Sequence, residues 1–338
     1  MARVVNSIGI DSTSYNNNEA ENVDDDNAIQ SIFSSTSCYD LLASSTKGVV
    51  FETSIPFQLA FFALVEHDTE IAPVWDPEKK AFVALMCISD YIHALQICRV
   101  QGISMLDLAS RSIADMLSSS AMTFQHPDFN AIDAEDSVHQ LCLSLHRLNA
   151  DYAPVIDPDN GHLVGILGYL DLVHLLDQAA KQHAPLFART IEQLQIGKFT
   201  QIKTIPLTVL LSDVITELEN NKDIIAIPIV DDNGTVVGLY HKLEISFIIK
   251  ATDPDSVMTS LNGLRVGEAL AMQEQQSGDT VTAVLHPLVT CNLHDSLAIV
   301  LDSMMRGRST VVVCIDNKGK CLGIINIKDI VTHFLESR

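Results

Sequence analysis

Four times along the chain, an apolar run of helical character gives way to a short, almost continuously apolar strand that ends in Asp. A polar turn, a second apolar strand and an acidic residue opening another helix follow each time. The strand-plus-Asp element reads Pro73-Val74-Trp75-Asp76, Pro154-Val155-Ile156-Asp157, Pro228-Ile229-Val230-Asp231 and, without the proline, Val313-Cys314-Ile315-Asp316. The second acid comes at a nearly constant distance as Asp90, Asp171, Glu244 and Asp329. Repetition of one supersecondary unit predicts an α/β fold of four such units, with any function lying where the copies meet.

In the first unit the pattern predicts a strand at Val49–Phe51 and a helix over Phe57–Val65, capped by Thr53 or Ser54 with Pro56 in its first turn. Strands at Pro73–Asp76 and Ala81–Ile88 flank the Lys79-Lys80 turn, and Ser89-Asp90 open the second helix. The second unit predicts a helix Asp136–Leu148, strands Ala153–Asp157 and Leu163–Leu167, and a helix from Asp171. In the third, Ser212-Asp213 cap a helix to Asn221, and the Asn233-Gly234 pair turns Ile224–Asp231 into Val236–Tyr240. The fourth has a helix Asp295–Met305 and strands Thr310–Asp316 and Cys321–Ile325. Two insertions, Gln101–His126 and Asp253–Gly278, each separate the members of a pair, so the chain reads as two tandem modules. The expected division is an arm over 1–37, disordered because it is rich in Ser, Asn, Asp and Glu, then module 1 over 38–178, a linker over 179–195 and module 2 over 196–338.

With 338 residues and 47% hydrophobic content the chain can bury a sizeable core. Although mean hydropathy is +0.21, no apolar run approaches the ~18 residues of a membrane span, because Asp90 interrupts Ala81–Cys98 and polar residues interrupt Val281–His294. No charged start followed by an apolar stretch suggests secretion. Seven cysteines at irregular spacing, with no C-x-x-C, argue against a disulfide framework or a zinc site. A cytoplasmic or nuclear location is expected. The net charge of −22 argues against nucleic acid and anionic membranes as partners, and weighs against holding several phosphates.

Catalytic signatures are missing. There is no G-x-x-x-x-G-K-[ST] loop, no G-x-G-x-x-G after a strand and no G-x-S-x-G elbow. Histidines do not recur at metal-ligand spacing; His139 and His146 share a helix face without a carboxylate or cysteine partner, so no metal is expected. Arg111 in the first insertion reads as a helix-surface residue.

Helix, strand, strand and helix with an acid at the last helix start resembles a CBS repeat, two of which form a Bateman module. Cys38-Tyr39-Asp40-Leu41, Val49-Val50-Phe51-Glu52-Thr53-Ser54, Ala60-Phe61-Phe62-Ala63-Leu64-Val65, Ala72-Pro73-Val74-Trp75-Asp76 and Leu194-Gln195-Ile196-Gly197 are similar to the gamma regulatory subunits of AMP-activated protein kinase. The similarity runs from about Cys38 to the C-terminus. It implies four CBS repeats paired into two Bateman modules that form a flattened disk. It further implies a non-catalytic subunit with no catalytic cofactor, partnered by a kinase alpha subunit and a scaffolding beta subunit, with AMP, ADP or ATP as regulatory ligands in clefts between repeats.

That resemblance makes Asp90, Asp171, Glu244 and Asp329 candidates for binding ribose hydroxyls, although at Asp171 the related repeat usually carries a basic residue. A carboxylate can accept from two adjacent hydroxyls, but Asp at a helix start is also a favoured cap. Both roles stay open. For phosphate, the candidates are Lys198, Lys203, Lys242 and Arg308, with Lys222 also close to a matching position. Just before the proline-containing strands, where the family tends to be basic, this chain has Glu70, Asp151-Tyr152, Asp223 and Thr310-Val311. A close charge is worth about 4 kcal/mol at an effective dielectric of ~20, and a micromolar ligand only about 8 kcal/mol in all. The leading reading is a regulatory subunit that couples AMP, ADP or ATP binding to kinase activity through a rebuilt phosphate site; the alternative is a scaffold that keeps the partners and no longer senses nucleotide. An enzyme with accessory repeats is a third, disfavoured because the repeats occupy nearly the whole chain.

Overall fold

The computed structural model describes residues 27–42, 49–67, 69–119, 122, 124–221, 224–245, 261–276 and 287–336. Each unit contains a three-stranded sheet. These are β1 Phe51–Glu52, β2 Ile71–Asp76 and β3 Ala81–Cys87, then β4 Ile132–Asp133, β5 Tyr152–Ile156 and β6 Leu163–Gly168. They are followed by β7 Ile205–Pro206, β8 Ala226–Val230 and β9 Val236–His241, and by β10 Thr290–Cys291, β11 Val311–Ile315 and β12 Cys321–Asn326. In every sheet the first strand pairs parallel with the second, and the second antiparallel with the third. Parallel pairing needs a crossover, which the helices Phe57–Glu66, Val138–Leu148, Leu211–Asn220 and Leu297–Gly307 supply. The register shifts at the same place in all four hairpins, at Val74/Trp75, Val155/Ile156, Ile229/Val230 and Cys314/Ile315.

The recurring Asp after the second strand builds the turn. Asp76 Oδ1 accepts from the Glu78 and Lys79 N–H groups, Asp157 Oδ1 from Asp159, Asp231 Oδ1 from Asn233 and Thr235, and Asp316 Oδ1 from Lys318 and Lys320. Two expected helix caps differ in detail. Pro56 and Leu210, not Thr53, Ser54, Ser212 or Asp213, stand at the N-cap positions, and neither has a side chain that can cap.

The four units close into a ring. The first and second meet sheet to sheet through Ile71, Leu85 and Cys87 against Phe129, Tyr152 and Ile166, and the third and fourth through Ala226 and Leu239 against Val311 and Val313. Helices make the other two joints. Helix Ile88–Gln101 of the first unit packs on Leu211–Asn220 of the third, where Arg99 donates to the Ser212 carbonyl at 2.9 Å. Helix Tyr169–Gln182 of the second unit packs on Leu297–Gly307 of the fourth. One large core therefore runs through units one and three, around Phe61, Tyr91, Leu211 and Tyr240. The other runs through units two and four, around Leu172, Leu301 and Phe334.

Short helices strap this ring. Bridges Ser37↔Ser137, Pro56↔Ser112, Thr190↔Ser296 and Leu210↔Arg265 dock each on the start of a crossover helix. The helix Cys38–Leu41, which precedes the first unit, is thus bound by the second, and Ile191–Leu194, within the expected linker, is bound by the fourth. The expected disordered arm is corrected over its last part. Residues 27–35 are helical, with Ile29 and Phe33 buried in the core of units two and four, and Gln30 Nε2 donates to the Phe334 carbonyl at 2.7 Å. Ile29, Ile32 and Phe33 give that polar stretch one apolar face at helical spacing. Residues 1–26, and 253–260 and 277–278 of the second insertion, lie outside the described residues. No helix among the described residues is long and apolar enough to cross a membrane.

Candidate functional site

A cavity of 1270 Å³ lies where all four units meet. Its apolar wall comes from the facing sheets of units one and two, including Ile71, Trp75, Phe82, Phe129 and Ile166. The polar end gathers Glu70, Asp151 and Tyr152 with Lys242, Lys328 and Arg308.

Asp151 is the centre of that end. It immediately precedes β5, so its backbone direction is fixed by the sheet. Its Oδ1 lies 2.6 Å from Lys328 Nζ and its Oδ2 3.4 Å from Lys242 Nζ. Gln125 Nε2 donates to the same Oδ2 at 2.9 Å. Side-chain exposure is only 17% for Asp151, 18% for Lys242 and 29% for Lys328, so water screens the cluster weakly. Burial alone would raise the Asp151 carboxyl; Lys242 and Lys328 outweigh it and hold it at about 2. Beside it the Tyr152 hydroxyl donates to the Glu70 carboxylate. Burial and the Glu70 charge push Tyr152 well above its usual value, so it stays protonated. Lys328 also stands 5.2 Å from the Tyr169 ring centroid.

The repeat acids are placed unequally. Asp90 is fully buried and both oxygens are engaged, Oδ2 by the Cys87 N–H at 2.7 Å and Oδ1 by the Gln125 N–H at 2.6 Å. Burial pushes its carboxyl up to about 6, against the pull of those two amides. Glu244 is buried in the short turn Lys242–Glu244. Neither lines the cavity. Asp329 is half-buried, accepts from the Asn326 N–H at 3.0 Å and also stands outside the lining. Asp171 does line it, while accepting from the Gly168 N–H at 2.8 Å. Three of the four acids are thus seen acting as helix caps.

Because a folded-state value above the ordinary carboxylate range favours the protonated form, Asp90 stabilises the fold below about pH 4, and that contribution falls as pH rises through 6. Relative to Asp90→Asn, which does not titrate, the unsubstituted chain should lose roughly 3 kcal/mol between pH 4 and 7. Urea unfolding of both proteins across that range checks this; a constant difference would contradict it.

Of the phosphate candidates, the structure brings Lys242 and Arg308 to the cavity. Arg308 ends helix Leu297–Gly307 in a left-handed conformation, φ 47°, and has no ion-pair partner among the described residues. Lys203 pairs instead with Glu217, and Lys198 is exposed beside β12, its backbone paired with Ile324. Lys222 and Asp223 lie outside the described residues. Sequence reasoning missed Lys328 and Gln125. Lys328 had a signal, since it directly precedes Asp329 in the same helix-start turn that places Lys242 two residues before Glu244. Gln125, within an insertion, had none. Among the described residues no His, Cys, Asp and Glu cluster is arranged to hold a metal ion.

Comparison with known proteins bears on both fold and sequence. The CBS domain family matches residues 123–178, 197–250 and 281–336, which contain the hairpins of units two and four and that of unit three. The human 5'-AMP-activated protein kinase subunit gamma-3 is 28% identical over 300 residues, covering 87% of this chain and 58% of its own length. The Dictyostelium discoideum subunit gamma of the same kinase is 28% identical over 314 residues, covering 88% and 51%. The chain therefore spans little more than half the length of these relatives. A Methanocaldococcus jannaschii protein, described as a candidate archaeal homologue of gamma-AMPK, superposes with a TM-score of 0.66 at 14% identity, over 86% of this chain and 98% of its own. A conserved Pyrococcus horikoshii protein gives 0.50 at 12% identity, over 88% and 98%. At such identities the solved structures attest to the fold alone. The chain is an α/β protein of four like units, three of which contain the segments that match the CBS domain family, and in sequence it resembles the gamma subunits of AMP-activated protein kinase.

Proposed function

We propose that this chain is a non-catalytic gamma-type regulatory subunit that assembles with a kinase alpha subunit and a scaffolding beta subunit, and that it does so without sensing AMP, ADP or ATP. Partnership is supported by the likeness to the gamma subunits over 87% of the chain. The nucleotide-blind mode is supported by one observation above others: Asp90 and Glu244, the acids of the first and third repeats, are buried away from the cavity, with both Asp90 oxygens held by backbone amides. A ribose there would have to displace two charge-assisted hydrogen bonds. The nucleotide-coupled mode keeps Arg308, a lining cation with no ion-pair partner among the described residues, and Asp171, the repeat acid that lines the cavity. Co-expression with alpha and beta subunits tests the proposal. Co-purification of a ternary complex whose kinase activity is indifferent to AMP is expected; failure to assemble, or activation by AMP, would overturn it.

A further inference from the structure

Two ammonium groups and an amide converge on one carboxylate inside a cavity that four units share. Lys328 belongs to unit four, Lys242 to unit three, Asp151 to unit two, and Gln125 to the connection between units one and two. Each donor atom lies within 2.6–3.4 Å of a carboxylate oxygen. Converging charged donors of this kind match a tetrahedral oxyanion as well as a carboxylate, since both present several acceptor oxygens from one centre. The cavity around them has room beyond the side chain that occupies it.

We propose that this is an anion site occupied by the chain itself: the Asp151 carboxylate is the resident ligand of Lys242, Lys328 and Gln125, and its removal opens the site to a free oxyanion of the phosphate class. The inference rests on the nucleotide-blind reading of the same cavity and supplies its chemistry. Two of the cations that could hold a phosphate, Lys242 and Lys328, are present but already engaged by the Asp151 carboxylate. A tethered group competes at an effective concentration of at least millimolar order, which a weakly held free anion cannot match. Its second consequence is mechanical. An exchangeable anion would bridge the units only when bound, whereas Asp151 bridges units two, three and four at all times, so the ring has one arrangement and no ligand-driven alternative.

The full chain and its Asp151→Asn and Asp151→Asn/Lys328→Gln variants, each titrated with inorganic pyrophosphate by calorimetry and by thermal melting, test this. Asp151→Asn should bind pyrophosphate at least about tenfold more tightly than the unsubstituted chain, with a rise in melting temperature that saturates. The double variant should lose that gain. Equal affinity in a folded Asp151→Asn and the unsubstituted chain would overturn the proposal. If Asp151→Asn does not fold, the double variant decides: recovery of folding on removing Lys328 is the expected result, and a further loss contradicts a paired cluster. Tight AMP binding by the unsubstituted chain in its kinase complex would sink the nucleotide-blind reading by itself. The pyrophosphate comparison would still report on Asp151.

Discussion

Asp151→Ala is expected to lower the free energy of unfolding at pH 7 by about 3–5 kcal/mol, because it strands two partly buried ammonium groups on one spot. A surface ion pair would cost at most about 1 kcal/mol, and the limited exposure of all three side chains decides between these cases. The same Asp151→Ala change placed on a Lys242→Gln/Lys328→Gln background should cost far less, since nothing is then left unpaired. Acid gives an independent check. The Asp151 carboxyl is depressed in the folded state to about 2, so its contribution is present above about pH 4 and is lost as pH falls towards 2. That loss amounts to roughly 2 kcal/mol. Denaturant unfolding of the four proteins measures all of this; an equal cost of Asp151→Ala in both backgrounds would show that the cluster is not coupled.

Phe33→Ala should cost a comparable amount, about 3–5 kcal/mol, although it lies in a stretch whose composition is that of a disordered arm. Phe33 is fully buried with Ile29 in the core of units two and four, and the neighbouring Gln30 ties the helix to the Phe334 carbonyl. The loss should appear in the melting temperature of the whole chain, because that core also holds Leu172 and Leu301. A variant that melts like the unsubstituted chain would mean that the helix contributes nothing to the ring.

These two residues also mark the limits of the sequence. Repeats were legible because local chemistry enforces them: Asp76, Asp157, Asp231 and Asp316 each build their own turn from backbone amides within four residues. Sheet order and the crossover helices follow from the same period. Composition averaged over the first 37 residues hid the short apolar face that includes Ile29 and Phe33. A helix-start acid looks the same in sequence whether it caps or binds, and only the burial of Asp90 separates the two. Asp151 stood out as an acid where a cation was expected, yet its lysine partners are 91 and 177 residues away in units three and four, a distance that no local pattern spans. Lys203 fails for the converse reason: an exposed lysine takes whatever acid is near, here Glu217.

Asp90 and Glu244 are withdrawn from the cavity, and Lys242 and Lys328 are already engaged by Asp151. An equilibrium titration of AMP, competed with ATP, against the chain assembled with alpha and beta subunits tests the nucleotide-blind reading most directly, with Asp329→Ala as the control. No saturable binding in an intact complex is the predicted result. Micromolar binding that Asp329→Ala abolishes would contradict it and return the chain to the nucleotide sensors.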